Sequence, residues 1–267
     1  MSALLPGILA LILYIGIAIA QFLRLRNPER KIHNQSLGAG FLAVTLHGIE
    51  VYADIIRPDG TNIGIFAMAS LIAWSAAVTV LLSSLRKPLD NLFIFLFPLA
   101  ALSIKFALLN SEPTFLKETV GDQIFAHILL SILSYSFLTI AAFHALILLY
   151  ANRLLKSPGK MSLLKALPPL QTMEVLLFEL LWVGAIFLTL TIASGFLFLD
   201  DMFAQRLAHH TIITLAAWVV YAILLWGRYR LGWRGSTAIN WTLAGFFLLL
   251  LGYFGTKLVI EIILHRT

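Results

Sequence analysis

The stretch MEVLLFELLWVGAIFLTLTIASGFLF, residues 173–198, decides the fold class of this chain. Within it, only Glu174 and Glu179 carry ionisable side chains. A helix that crosses a bilayer needs about 20 predominantly apolar residues, so this segment is long enough to span a membrane. Lipid offers no hydrogen-bond partner to the backbone, and a continuous apolar run of this length therefore favours a transmembrane helix.

Similar segments recur along the whole chain of 267 residues. Of these residues 60% are hydrophobic and only 12% are charged, whereas soluble domains contain about a quarter charged residues. We predict an all-α, polytopic transmembrane helix bundle of about eight spans that forms a single integral membrane domain over residues 1–267. The spans are predicted at about 4–23, 36–56, 62–83, 91–109, 122–151, 173–198, 208–227 and 237–263.

The distribution of basic residues predicts the orientation of the bundle. Thirteen of the 19 Lys and Arg residues lie in the loops after the first, third, fifth and seventh spans, and four lie in the loops on the other side. The positive-inside rule makes the basic side cytoplasmic, which places both termini outside. The net charge of +6 is therefore explained by membrane orientation, and no nucleic-acid partner is expected. The absence of cysteine excludes disulfides and thiolate metal sites.

Two histidines are predicted near the outer ends of their spans. Ionisable residues inside a membrane are costly and therefore suggest function. His127 lies one to two turns inside the fifth span, and His210 lies at the start of the seventh. His210 heads a stripe of small and polar residues suited to packing inward: Thr214, Ala217 and Tyr221. Two imidazoles from different helices could ligate a haem iron axially or bind another transition metal. Alternatively, both are interfacial histidines bonded to backbone or water.

A second polar group is predicted in the middle of the second span. His47 shares a helical stripe with Glu50 and Asp54, and a carboxylate one turn away could orient the imidazole. A proton relay, a deeper ligand site and a structural hydrogen bond all remain open. His144 has apolar neighbours near the cytoplasmic edge, and we interpret it as structural.

Four stretches of the back half carry a family resemblance. They are PLQTME at 169–174, LTLTIASG at 188–195, WVVYA at 218–222 and the basic turn GWRG at 232–235. Together with His127 and the Ser134-Tyr135 pair on its helix, they resemble the cytochrome c assembly family of membrane proteins. The resemblance covers about residues 120–262, and the compact eight-span form is most similar to the YpjD and HemX-like branch.

The resemblance implies a site that holds haem at the outer face between two histidines. His127 matches the first position, and His210 is the best candidate for the second. His47 with Glu50 would form a deeper supporting site, and the rim would be lined by the residues at the family's Trp-Asp element, Asp200 and Asp201. The other partners implied are the lipid bilayer and other membrane assembly proteins.

The resemblance also implies a reduced role within the family. The loop at 199–207 contains no tryptophan, whereas the family's synthases use a tryptophan-rich loop to present haem. We therefore predict a haem-binding or haem-relaying accessory protein of the bacterial inner membrane, not an enzyme that attaches haem covalently. One alternative is a transporter or channel with a polar path around His47 and Glu50. Another is a haem-free scaffold that acts through its basic linker at 152–172.

Overall fold

The computed structural model describes residues 4–26, 32–58, 60–109, 114–115, 121–155, 167–198, 208–255 and 258. The helices in chain order are α1 (Leu4–Arg26), α2 (His33–Ile55), α3 (Ile65–Ser84), α4 (Phe93–Leu109), α5 (Asp122–Leu155), α6 (Leu170–Phe198), α7 (Ala208–Leu231) and α8 (Ser236–Leu250). A 3-10 turn at Asp90–Leu92 precedes α4, and a π turn at Leu251–Gly255 follows α8. A small hairpin pairs β1 (Ile56–Arg57) with β2 (Gly60–Thr61) in antiparallel register.

The predicted all-α architecture is confirmed. Within the described ranges, eight helices are long and apolar enough to cross a membrane. Their bounds agree with the predicted spans to within four residues, except at the end of the eighth span, which was predicted at 263, whereas α8 and the π turn after it end at Gly255. The hairpin was not predicted, because two residues per strand leave no alternating pattern to detect. The placement of both termini outside stays a prediction.

The helices form two compact units. Unit 1 comprises Met1–Lys117 with Tyr150–Leu170, and unit 2 comprises Glu118–Leu149 with Gln171–Thr267. In unit 1, α1 packs against α2 and α4, and α3 packs against the same two helices. Each helix of this group therefore has two neighbours, in the manner of a four-helix bundle. The single membrane domain over residues 1–267 stays a prediction.

Unit 2 repeats this pattern with α5 to α8. The α5 and α6 helices are joined by a hydrogen bond from Ser134 Oγ to the Gly184 carbonyl oxygen (3.3 Å). The α7 and α8 helices pack along their length. Tyr135 of α5 donates to the Leu249 carbonyl oxygen of α8 (3.2 Å), which closes the group on its other side. Interhelical hydrogen bonds of this kind and close packing, rather than hydrophobicity, hold helices together in lipid.

Glycines allow the closest helix contacts in unit 2. A Cβ atom built on Gly184 would lie 2.7 Å from the side chain of Leu138, and one on Gly245 would lie 2.8 Å from the ring of Tyr221. Small residues at such points let the helix backbones approach each other. The large apolar side chains on the outer surfaces, such as Leu5 and Ile12, are more than half exposed, as expected of faces that contact lipid.

Candidate functional site

His127 is held by a hydrogen bond between α5 and α6. Its Nδ1 atom lies 2.9 Å from Ser194 Oγ. The Ser194 hydroxyl in turn donates to the Thr191 carbonyl oxygen at 2.9 Å. A hydroxyl has one proton to donate, so Ser194 accepts its bond from His127, and Nδ1 of the imidazole carries the proton. The His127 ring also has a hydrogen bond to the backbone of Thr191. With the proton on Nδ1, the lone pair that a metal ion can bind is on Nε2.

His210 lies close to His127 at the beginning of α7. The two imidazoles are near enough to interact electrostatically, and their role as a ligand pair stays a prediction. The His210 ring forms an edge-on contact with Tyr253, with 6.0 Å between ring centroids, and bonds to the backbone of Gly252. Its Nδ1 atom is buried and has no hydrogen-bond partner among the described residues.

The inward stripe predicted below His210 is buried. Thr214 is 8% exposed, and Ala217 and Tyr221 are fully enclosed. In the part of the chain that the structure describes, Thr214 Oγ1, the Tyr221 hydroxyl and Thr191 Oγ1 also lack hydrogen-bond partners. Buried polar atoms in proteins are normally paired with protein groups or water. Four unpartnered atoms in one unit, including His210 Nδ1, indicate a polar interior that water or a ligand completes.

The donor set of this site, two imidazoles, fits a haem iron. No group of three or more His, Asp or Glu side chains able to hold a metal ion occurs in the described ranges. A bare transition metal ion normally takes more ligands from the protein than two histidines supply. A haem iron is already held by its porphyrin and takes only axial ligands, for which two imidazoles suffice. The predicted rim residues Asp200 and Asp201 lie outside the described residues.

His47 and Glu50 lie in a separate network, in unit 1. His47 is completely buried, and Glu50 is 1% exposed. The Tyr14 hydroxyl lies 3.2 Å from His47 Nδ1, and Ser70 Oγ lies 3.0 Å from His47 Nε2. Ser70 also donates to Glu50 Oε2 at 3.4 Å. Both imidazole nitrogens are therefore engaged with neighbouring side chains, and the deeper supporting site for the cofactor stays a prediction.

His144 and Lys105 are two further polar residues of the spans. His144 is buried, and its Nε2 donates to the Met173 carbonyl oxygen at 2.9 Å, which agrees with the structural role predicted for it. Lys105 is exposed on α4. Residues 156–166 of the basic linker lie outside the described ranges, and the scaffold alternative stays a prediction.

Sequence reasoning missed the partners of both histidine groups. Ser194 lies 67 residues from His127, and Tyr14 lies 33 residues from His47. Tyr14 is a single hydroxyl in an apolar helix, and Ser194 occurs in a run of small residues. The sequence did show that each of these residues is a polar side chain in an apolar span. It could not show which helix that side chain contacts, because the two partners are far apart along the chain.

An apolar groove lies on unit 2 between α6 and α7. It encloses about 550 Å³, and four of its nine lining residues are aromatic: Trp182, Trp218, Trp226 and Tyr229. Trp218 Nε1 donates to Thr189 Oγ1 at 2.9 Å and so joins the two helices. Neither His127 nor His210 lines the groove, and its apolar walls are suited to contact with lipid.

The sequence profile of the cytochrome C assembly protein family matches residues 8–264. The chain belongs to this family. The inner membrane protein YpjD of Escherichia coli K12 is 32% identical over 227 residues, which is 83% of this chain and 85% of that protein. Family membership, this relative and the eight apolar helices establish a multi-pass protein of the bacterial inner membrane.

More distant relatives match about half of the chain. A 28.8 kDa protein from the nifR3-like 5' region of Azospirillum brasilense is 33% identical over 54% of each chain. Protein HemX of Brevibacillus brevis is 24% identical over 51% of this chain and 50% of its own length. No solved structure matches the chain significantly. The resemblance to the cytochrome c assembly family noted in the sequence is thereby confirmed.

Proposed function

We propose that this protein is a haem-handling accessory protein of the cytochrome c assembly type. Haem would be held at the end of unit 2 where α5 and α7 begin, and His127 and His210 would supply the protein ligands to its iron. The observation that carries the proposal is the proximity of these two imidazoles, together with the buried Nδ1 atom of His210, which has no hydrogen-bond partner among the described residues.

The residues of the chain have distinct roles in this proposal. Ser194 fixes the ring orientation and the proton position of His127, as hydrogen-bonded partners of metal-bound histidines do. Tyr253 packs edge-on against His210 and limits its rotation. Both histidines are partly exposed, so part of the site is accessible to a ligand, although His210 Nδ1 itself is buried. Bound haem would supply an iron centre able to take two imidazoles.

The remaining parts of the predicted site complete the proposal. Asp200 and Asp201 would line the rim of the haem site, next to the beginning of α7. Haem would be handed to other membrane proteins of the assembly machinery, and no covalent bond to haem is formed by this chain. A binding or relaying role fits a protein whose loop at 199–207 has no tryptophan.

A haem titration of the purified full-length protein tests this function. Absorption spectra of the wild type, His127→Ala and His210→Ala are recorded in detergent with increasing haem. We expect saturable binding by the wild type and loss of about tenfold or more in affinity for each variant, because each removes one iron ligand. His209→Ala is the matched control, since it removes the neighbouring imidazole from the same chain.

Two results would reject the proposal. One is a wild-type protein that does not bind haem saturably. The other is binding that survives in the double variant H127A/H210A as strongly as in H209A. The haem-free scaffold alternative predicts this second result, with all histidines dispensable for function and charge changes in 152–172 disruptive.

A further inference from the structure

We propose that unit 1 contains a proton path that runs through the bundle from one end of α2 to the other. The path consists of buried side chains on α1, α2 and α3 and a carboxylate in the turn before α4. It is independent of haem binding and gives unit 1 a function of its own, the movement of protons along the bundle. Chains of ionisable groups inside a membrane bundle are typical of proton relays.

The centre of the path is a continuous chain of three hydrogen bonds. Ser70 donates to Glu50 Oε2 (3.4 Å), so Ser70 Oγ accepts from His47 Nε2–H (3.0 Å). His47 Nδ1 is then left as an acceptor for the Tyr14 hydroxyl (3.2 Å). All donors therefore point the same way, from Tyr14 towards Glu50. A chain with one consistent direction is the arrangement that passes a proton without moving any heavy atom.

The ionisable side chains of this central chain, His47 and Glu50, favour proton movement. An ionised carboxylate that is 1% exposed is costly unless it is paired. His47 Nε2 lies 3.9 Å from Glu50 Oε2, so the two groups can exist as a neutral pair or as an ion pair that differ by one shared proton. Ser70 bridges them. Glu50 also interacts electrostatically with Asp54, one turn further along α2.

One end of the path is a polar group at the end of α2. The Asp54 side chain is 11% exposed and pairs with Arg57, which is 29% exposed. Asn62 Nδ2 also donates to Asp54 Oδ1, at 3.4 Å. This group lies one turn beyond Glu50 and reaches the surface through Arg57. It is therefore placed to exchange protons between Glu50 and the medium.

The opposite end is a carboxylate shared by three elements. Asp90 Oδ2 accepts from Arg24 of α1 at 3.4 Å and lies 2.6 Å from His33 Nδ1 of α2. The Asp90 side chain is 12% exposed, whereas those of His33 and Arg24 are 43% and 33% exposed. The predicted orientation places this end in the cytoplasm. The exposed imidazole of His33 can take protons from the medium and pass them to Asp90.

Gln21 lies between the central chain and Asp90. It is on the same buried face of α1 as Tyr14, about 10 Å further along the helix, and one turn before Arg24. Gln21 is 1% exposed, and neither of its amide atoms has a hydrogen-bond partner among the described residues. Asp90 Oδ1 is likewise buried and unpartnered. Buried polar atoms of this kind bind water, and water between Tyr14 and Asp90 completes the path.

One transfer step balances as follows. Ser70 gives its proton to Glu50 and takes the Nε2 proton of His47. His47 takes the hydroxyl proton of Tyr14 at Nδ1, Tyr14 takes a proton from the water beside Gln21, and that water takes one from protonated Asp90. One O–H or N–H bond breaks and one forms at each position, so a single proton is delivered to Glu50. Glu50 releases it to Asp54. The transfer leaves the imidazole proton of His47 on Nδ1, so the chain is restored when the hydroxyls rotate and the ring reorients and exchanges protons with the water of the path to regain its Nε2–H form.

Proton flux into vesicles tests this inference. The full-length protein is reconstituted into phosphatidylethanolamine–phosphatidylglycerol vesicles that contain a pH-sensitive dye, and a membrane potential is imposed with potassium and valinomycin. The wild type is expected to acidify or alkalinise the interior faster than protein-free vesicles do, according to the sign of the potential. Tyr14→Phe, Glu50→Gln and Gln21→Leu are expected to reduce the flux to that of protein-free vesicles.

The control is Ser103→Ala, which removes a buried hydroxyl of α4 that bonds only to its own helix at the Ala100 carbonyl oxygen in the described structure. It should retain the wild-type flux.

If Glu50→Gln lowers the melting temperature, its loss of flux could come from misfolding. Tyr14→Phe is then the decisive variant, because it deletes one oxygen and keeps the ring. Wild-type flux equal to that of empty vesicles, unchanged flux in Y14F, or equal loss in S103A would each overturn the path. Haem binding by Y14F should be unchanged, which separates this test from that of the haem site.

Discussion

The Nδ1 atom of His127 on α5 lies 2.9 Å from Ser194 Oγ on α6. Because the Ser194 hydroxyl donates its proton to the Thr191 carbonyl oxygen, it can only accept from His127, and this contact sets the tautomer of the imidazole. The lone pair is then on Nε2, the nitrogen that the α6 serine does not contact. This hydrogen bond between two helices orients His127 to act as a metal ligand. The hydrogen-bonded partners of metal-bound histidines have the same effect in metalloproteins.

The first prediction concerns this serine. Ser194→Ala removes the acceptor for His127 Nδ1–H and leaves both candidate ligands in place. We expect haem affinity to fall by about ten- to a hundredfold, the usual effect of losing the partner of a metal-bound histidine. Titration of purified protein with haem measures this change.

The matched control for Ser194 is Ser136→Ala. The Ser136 hydroxyl donates to the Ile132 carbonyl oxygen of its own helix at 2.7 Å, and this helix also carries His127. Its haem affinity should equal that of the wild type. Equal affinities of S194A and the wild type would show that Ser194 does not orient the ligand.

The second prediction separates a structural histidine from the candidate ligands. His144→Leu keeps most of the side-chain volume but loses the bond to the Met173 carbonyl oxygen. The free energy of unfolding should fall by about 1 kcal/mol, the net value of one such hydrogen bond, while haem affinity stays unchanged. Thermal unfolding in detergent and haem titration are the two measurements. Loss of haem binding in H144L without loss of stability would contradict the structural role.

The third prediction uses two glycines in helices. A Cβ at position 184 meets Leu138 at 2.7 Å, whereas one at position 16 meets nothing within 4 Å. Gly184→Ala should lower the free energy of unfolding by about 1–3 kcal/mol through overpacking between α5 and α6. Gly16→Ala should not destabilise the protein, because alanine is the better helix former. If the two variants melted at the same temperature, the close approach at Gly184 would be refuted.

The fourth prediction tests membrane orientation. The chain has no cysteine, so a single introduced thiol reports one position. Ser157→Cys, in the basic linker, should react with a membrane-impermeant maleimide only after cell lysis, whereas Thr267→Cys should react in intact cells. These outcomes follow from the concentration of Lys and Arg on the cytoplasmic side. The reverse labelling pattern would invert the predicted topology.

Much of the fold was accessible from the sequence because lipid imposes a simple rule. Each span must be apolar, helical and about 20 residues long, so the eight helices are visible as continuous runs. The hairpin at Ile56–Thr61 was not accessible, since its four paired residues have no pattern of their own. The division into two units depends on which helices pack together, and composition alone does not specify that.

The candidate site was only partly accessible. The stripe of His210, Thr214, Ala217 and Tyr221 predicted which face of α7 is buried, because helical periodicity fixes the side-chain direction. The hydrogen-bond partners of the histidines lie on other helices. Residue spacing within one helix therefore could not identify them. The same limit applied to Tyr14 and Ser70, which turn the predicted His47–Glu50 stripe into a chain across three helices.

The axial ligation of bound haem tests the central proposal most directly. Electron paramagnetic resonance and absorption spectra of the ferric haem complex distinguish iron with two imidazoles from iron with one. The proposal predicts a six-coordinate, low-spin wild type and a conversion to a five-coordinate or high-spin form in both His127→Ala and His210→Ala, with no conversion in His209→Ala. A low-spin spectrum that persists unchanged in both variants would show that His127 and His210 are not the ligands and would contradict the proposed haem site.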